Sequence, residues 1–317
     1  MSNAPLFLVG CPRAGLSLLM EMLAIHEQLG WISLHAERAG TKWNAAIALN
    51  RLYDLPGIGK DLYRSRMGAP AGSSIAKLLP YPAEPWAFWQ SRIARFTPMQ
   101  DGLWLPEPPG ESDILPAERD RVRDDVQSLL RAQRRGRLLS YYAGHDRMRL
   151  LSVPFPDAIF VHVTRDARAV AESFHRMVAS GVFRTWEERQ LWPRLWPEQW
   201  RRDFADRHHD AFGLCVYLWM HFTTTIRAEG RRLGPKRYVE IRYEDLARHP
   251  ARALEKLFAI ASLPASGRVE WLLKRLRPRS AIDKWKAILT PAQLRTIDEI
   301  IEPGLRPLLD GQHDRRA

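Results

Sequence analysis

The chain has 317 residues, 45% hydrophobic, 10% aromatic and 26% charged, a balance that excludes a disordered, collagen-like or disulfide-stapled protein. Its formal net charge of +12 calls for an anionic partner: nucleic acid, anionic lipid, or a small ligand with several phosphate-type groups. Two cysteines, Cys11 and Cys215, give no disulfide framework and read as reduced thiols. The start has no basic leader, and no apolar run approaches the ~20 residues of a membrane helix. The expectation is a cytoplasmic protein without membrane insertion.

In chain order, Leu6 to Val9 reads as a buried strand. A turn over Gly10 to Gly15 follows, then a helix with Leu19, Met22, Leu23 and His26 on one face. Residues 64–112 are rich in Pro, Gly and Trp. Ile159 to Val163 is a second strand, and the next helix places Val170, Phe174 and Met177 at helical spacing. Residues 182–200 repeat aromatics at Phe183, Trp186, Trp192, Trp196 and Trp200. A buried helix carries Phe212, Cys215, Trp219, Phe222 and Ile226. Tyr238 to Ile241 is a third strand, with Leu254, Leu257, Phe258 and Ala261 on the helix after it. Strands alternating with helices define an α/β class, a parallel β-sheet flanked by helices. We expect one domain over residues 1–310, two aromatic insertions packed on the core or covering an acceptor site, and a flexible tail at 311–317.

Two segments carry chemistry. Gly10-Cys11-Pro12-Arg13-Ala14-Gly15-Leu16-Ser17 follows a strand and opens a helix, the setting of a phosphate-binding loop. It nearly matches the Walker A pattern, but Leu16 stands at the lysine position and the nearest cation is Arg13. An NTPase would lose its β/γ-phosphate contact; a ligand with one phosphate and one sulfuryl group can be held by an internal cation. The second segment runs from Phe155 to Phe174. It sets Arg165 at a strand end and Ser173 two turns into the next helix, at the sheet edge where open α/β folds bind ligands. A guanidinium fork with a hydroxyl suits a phosphate monoester.

Together these stretches resemble the 5′-phosphosulfate loop and 3′-phosphate site of sulfotransferases that use 3′-phosphoadenosine 5′-phosphosulfate (PAPS). Tyr238 to Leu246, containing Arg242-Tyr243-Glu244-Asp245-Leu246, resembles that family's "RYEDL" segment. Asp283-Lys284-Trp285-Lys286 before Leu289 resembles its C-terminal region, and Leu29-Gly30-Trp31-Ile32-Ser33 resembles a segment of bacterial members. The resemblance implies a P-loop nucleoside-triphosphate-hydrolase-like sulfotransferase fold and transfer of a sulfuryl group from PAPS to a hydroxyl or amine. Release of 3′-phosphoadenosine 5′-phosphate (PAP) follows, with no metal required. Arg13, the backbone of Ala14, Gly15, Leu16, Ser17 and Leu18, and the Ser17 hydroxyl would hold the 5′-phosphosulfate. Arg165 and Ser173 would hold the 3′-phosphate, Tyr243 would lie near the adenine, and Arg279 and Lys284 would close over the nucleotide.

Arg13 would also stabilise the leaving oxygen. Candidates for the base that accepts the acceptor proton are Glu37, His35 and His145, in that order. Tyr141 stands where the resemblance calls for a lysine, and Ala14 and Leu16 where it calls for small hydroxyl residues. The aromatic stretches favour a planar or apolar small-molecule acceptor of the kind found in secondary metabolism. A P-loop nucleotide kinase, a nucleic-acid-binding protein and a non-catalytic nucleotide-binding relative are the rival readings. Leu16 argues against the first and the scattered arginines against the second; no nucleic-acid partner is expected.

Overall fold

A computed structural model describes residues 3–39, 46–69, 73–74, 78–96, 99–100, 103–104, 109–180, 196–276 and 282–310. Five strands form one parallel sheet: β1 (Leu6–Gly10), β2 (Leu29–Gly30), β3 (Arg137–Ala143), β4 (Ile159–Thr164) and β5 (Tyr238–Arg242). Their spatial order is β2-β3-β1-β4-β5. Leu8 lies beside Tyr141 on one flank and Val161 on the other. The chain leaves β1 toward β2 and β3, then crosses to β4 and β5. The switch in strand order therefore falls at the carboxyl end of β1, where the sheet opens a crevice.

Three expected strands appear with extended boundaries, while β2 and β3 are additional. Every residue of β3 from Arg137 to Tyr142 is buried, yet its Ser140, Tyr141 and Tyr142 disguise the apolar run. Side chains alternate between two cores. Phe7, Val9, Leu138, Tyr142 and Phe160 face one; Leu6, Leu8, Leu139, Tyr141, Val161 and Val163 face the other. Burial on both faces is what a parallel sheet with crossover helices demands.

The helices that build the site are α1 (Leu16–Leu23), α2 (Leu34–Ala39), α3 (Trp86–Gln90), α4 (Pro116–Gln133), α5 (Ala167–Ala179), α6 (Ala211–Leu233), α7 (Tyr243–Arg248) and α8 (Pro250–Ala261). Helix α1 ends before His26, which lies in the following turn. There its Nε2 pairs with the Pro264 carbonyl at 3.1 Å, and the ring meets Phe258 edge-on. Helix α6 starts on an Asp210 cap that accepts from the Gly213 N–H. It buries Phe212, Cys215, Trp219, Phe222 and Ile226, the expected spine. No described helix is long and apolar enough to cross a membrane.

The aromatic stretches do structural work where they are described. Residues 81–84 lie along 32–34: Leu34 N–H bonds the Tyr81 carbonyl at 2.8 Å, and Ala83 N–H the Ile32 carbonyl at 3.0 Å. Trp196 stacks on Tyr217 of α6, and the Trp200 indole donates to Glu302. Phe183, Trp186 and Trp192 lie outside the described residues.

Candidate active site

The loop after β1 is built by backbone geometry. Gly10 presses against its neighbour strand: a Cβ there would stand 2.6 Å from the Val163 carbonyl oxygen. Gly15 has φ 106°, and a Cβ on it would meet the Tyr243 ring at 2.4 Å. Arg13 adopts φ 71°, a conformation that costs a non-glycine residue energy and persists only where the surroundings impose it. Ala14 and Leu16 are buried, one in each core. Hence the Walker lysine position points its side chain into apolar packing, and these two residues have only backbone to offer an anion. Arg13 and Ser17 are the loop's exposed polar side chains.

On the β4 side, the loop and the second motif interlock. Arg13 Nε donates to Ser173 Oγ at 3.0 Å. Arg165 donates from Nη1 to the Arg13 carbonyl at 2.9 Å, and its guanidinium lies 4.2 Å over the Tyr243 ring. The Trp219 indole N–H bonds the Arg165 carbonyl at 3.0 Å and secures the strand end. Burial pulls the Arg165 pKa below its ordinary value, while Tyr243 and Glu244 act in the opposite sense. Asp166 caps α5 through the Arg168 N–H, and its own N–H bonds Glu244 at 3.1 Å. The structure thus brings Arg13, Gly15, Arg165, Ser173 and Tyr243 to one place. Lys284 is exposed on the turn Lys284–Ala287, whose Trp285 packs beneath Arg168. Arg279 lies outside the described residues.

On the β3 side, Tyr141 and Ser17 share a side-chain hydrogen bond. Tyr141 is pushed up to about 12, chiefly by burial and then by the nearby Glu84 charge, so the phenol is protonated at neutral pH. Glu84 escaped the sequence reading. Its Oε1 accepts from the Ala143 N–H at 2.6 Å, at the carboxyl end of β3, and the Trp86 side chain bonds the same carboxylate. Burial holds this carboxyl above its usual range, opposed by those hydrogen bonds and by Arg147.

The three expected bases occupy different settings. Glu37 Oε2 accepts from the Phe88 N–H at 3.1 Å and Oε1 from the Ala87 N–H at 2.5 Å, so it caps the start of α3. His35 is half-buried on α2. His145 is 4% exposed and packs against Phe222 and His221. Burial, then His221 and Arg147, holds its pKa well below the ordinary histidine value.

A parallel α/β sheet with a glycine loop and two converging arginines at its switch point forms a candidate site for an anionic ligand. Residues 128–267 match the model described as "Sulfotransferase family". The matched segment runs from α4 through α8 and includes Tyr141, Arg165, Ser173 and Tyr243, whereas the glycine loop precedes it. Among solved structures, sulfotransferase STF9 from Mycobacterium avium is similar at 14% identity and a TM-score of 0.51, covering 94% of this chain and 76% of that one. This likeness is one of fold, and the fold is the P-loop-like one of the sulfotransferases. The sulfotransferase domain from the Synechococcus PCC 7002 olefin synthase matches at 19% identity with a TM-score of 0.46 over 94% of both chains. The sulfotransferase domain from the curacin biosynthetic pathway matches at 16% with a TM-score of 0.48, over 94% of this chain and 98% of that one. A comparison with curated proteins gives no match.

Proposed function

We propose that the protein transfers a sulfuryl group from PAPS to a hydroxyl or amine of a small-molecule acceptor. The convergence of Arg13, Arg165 and Ser173 at the end of β1 carries this reading. Arg165 and Ser173 would hold the 3′-phosphate, and Tyr243 the adenine. Arg13, the backbone from Ala14 to Leu18 and the Ser17 hydroxyl would hold the 5′-phosphosulfate. The close fit of Gly15 to Tyr243 supports a cradle for a flat base beside a backbone anion site. Sulfuryl transfer, like phosphoryl transfer, chiefly demands alignment and stabilisation of charge on the leaving oxygen. The exposed Arg13 guanidinium is suited to the second task, and no metal is invoked for it. Lys284 and Arg279 complete the nucleotide set in this reading.

The half-buried rings of Tyr81 and Trp86 support a planar or apolar acceptor on the β3 side. The same reading takes residues 1–310 as one domain, since the five strands come from between positions 6 and 242, and places the protein in the cytoplasm. Calorimetric titration with PAP tests the nucleotide assignment: binding is expected, weakened about 10- to 150-fold by Arg165→Ala, the cost of lost hydrogen bonds to a charged group. No binding to the wild-type protein sinks it. PAPS incubated with pooled acceptors, read by the mass gained, identifies the acceptor.

A further inference from the structure

We infer that Glu84 is the catalytic base of the sulfuryl transfer, and that Glu37 positions it. This inference rests on the sulfotransferase reading above. Glu84 reaches the edge of the sheet from 59 residues away in the chain, where its carboxylate takes the N–H of Ala143. Ala143 is two residues beyond Tyr141 on β3, and therefore on the same face of the strand. Tyr141 in turn is bonded to Ser17 of the loop. These contacts set a carboxylate beside the end of the loop that would carry the sulfuryl group, on the flank of β1 opposite Arg165.

Among the described residues no ion pair is formed with this carboxylate, and Arg147 acts on it only as a nearby charge. Its donors among the described residues are one backbone N–H and one indole; Arg147 donates to the carbonyls of Phe96 and His145. A carboxylate stabilised by neutral donors in a half-buried setting keeps a lone pair for a proton and is more basic than an exposed one. Its position is over-determined by the chain around it. Ala83 N–H bonds Ile32, Ser33 bridges to Pro82, and the Glu37 carboxylate takes both N–H groups of Ala87 and Phe88. Glu37 therefore pins the start of α3 two residues after Glu84 and does not itself need to meet the acceptor.

In the step assigned to Glu84, the acceptor oxygen or nitrogen forms its bond to sulfur as its proton passes to the Glu84 carboxylate. The bond from sulfur to the bridging 5′-phosphate oxygen breaks, and its electron pair stays on the phosphate beside Arg13. Glu84 then returns the proton to water, and no other co-reactant is needed.

The test uses the full chain, with PAPS as donor and 2-naphthol as the probe acceptor. PAPS hydrolysis is followed in parallel, and PAP affinity is measured by calorimetry. Glu84→Gln is expected to lower kcat by about 10²- to 10⁴-fold, with PAP affinity within threefold of wild type. It also abolishes the acidic limb of the kcat–pH profile. Glu84→Asp retains that limb with partial activity, which a purely structural role would not produce, and Glu37→Gln retains it as well. A Glu84→Gln protein with kcat within threefold of wild type, or with an unchanged acidic limb, overturns the assignment. So does loss of PAP affinity in parallel with kcat in both Glu84 variants, which marks a structural residue. A wild-type protein that binds PAP but transfers to neither 2-naphthol nor water overturns the base while leaving the nucleotide reading intact. Failure of the wild type to bind PAP removes both.

Discussion

Arg13 Nε donates to Ser173 Oγ at 3.0 Å, joining residues 160 positions apart. This bond ties the loop after β1 to helix α5, so the two segments proposed to bind the nucleotide lie together. A hydroxyl is a weak partner for a guanidinium. The exposed Arg13 is therefore ready to exchange part of this contact for a charged oxygen, where each bond is roughly twice as strong.

Ser173→Ala removes the hydroxyl and leaves the buried start of α5 otherwise unchanged. PAP affinity is expected to fall about tenfold, the value of one hydrogen bond to a charged group, with little change in melting temperature. Calorimetric titration alongside thermal unfolding checks both halves of this statement.

Gly15→Ala acts on both stability and ligand. The residue sits at φ 106°, and the new methyl would meet the Tyr243 ring. A cost of about 1–3 kcal/mol in unfolding free energy is expected from the left-handed backbone and displaced ring. Disturbing Tyr243 also moves the ring that carries Arg165. Urea unfolding should show the loss of stability, and PAP titration a loss of affinity larger than that of Ser173→Ala.

Glu37→Ala uncaps α3, because both carboxylate oxygens accept from its first N–H groups. Unfolding free energy should fall by about 0.5–2 kcal/mol, the range for a lost helix cap. The freed segment carries Glu84, so kcat should fall while PAP affinity stays constant. Combined denaturation and single-turnover measurements separate these effects.

Glu21, on α1 one turn beyond Ser17, rises from 4.5 to about 7 through burial, with Arg66 opposing. Between those values the folded chain keeps a proton that the unfolded chain has lost, so this group favours the native state at acid pH. Its contribution declines as pH climbs from about 4.5 to about 7 and remains unfavourable above. Glu21→Gln should match the wild type near the lower end of that window. At pH 8 it should be more stable, by about 1–3 kcal/mol. Urea titrations at the two pH values check the crossover.

Much of the site was legible because it is local. A buried strand, a glycine loop and a helix are contiguous over Leu6 to Leu23, so the loop and its cation follow from period and composition. The same holds for Arg165 at a strand end with Ser173 eight residues on. Strand β3 was not legible: its buried Ser140, Tyr141 and Tyr142 break the apolar run that marks a central strand, and only neighbours on both sides explain their burial. Helix α1 ended earlier than the spacing of His26 implied, because that imidazole is held by Pro264 and Phe258, which are distant in the chain.

Sequence alone determined the alternating α/β pattern, the glycine loop with Leu16 at the lysine position and Arg13 as its cation, and the resemblance that these motifs carry. These features depend on neighbouring residues and on the two local periods of strand and helix. Tertiary structure decided where the side chain at the lysine position goes, since Leu16 is turned into the core. It also decided what Glu37 and Glu84 touch. A carboxylate's chemistry is set by the donors, charges and solvent around it, and folding brings those from 50 to 59 positions away. One glutamate was thereby made a helix cap. The other was placed at the edge of the sheet beside Tyr141.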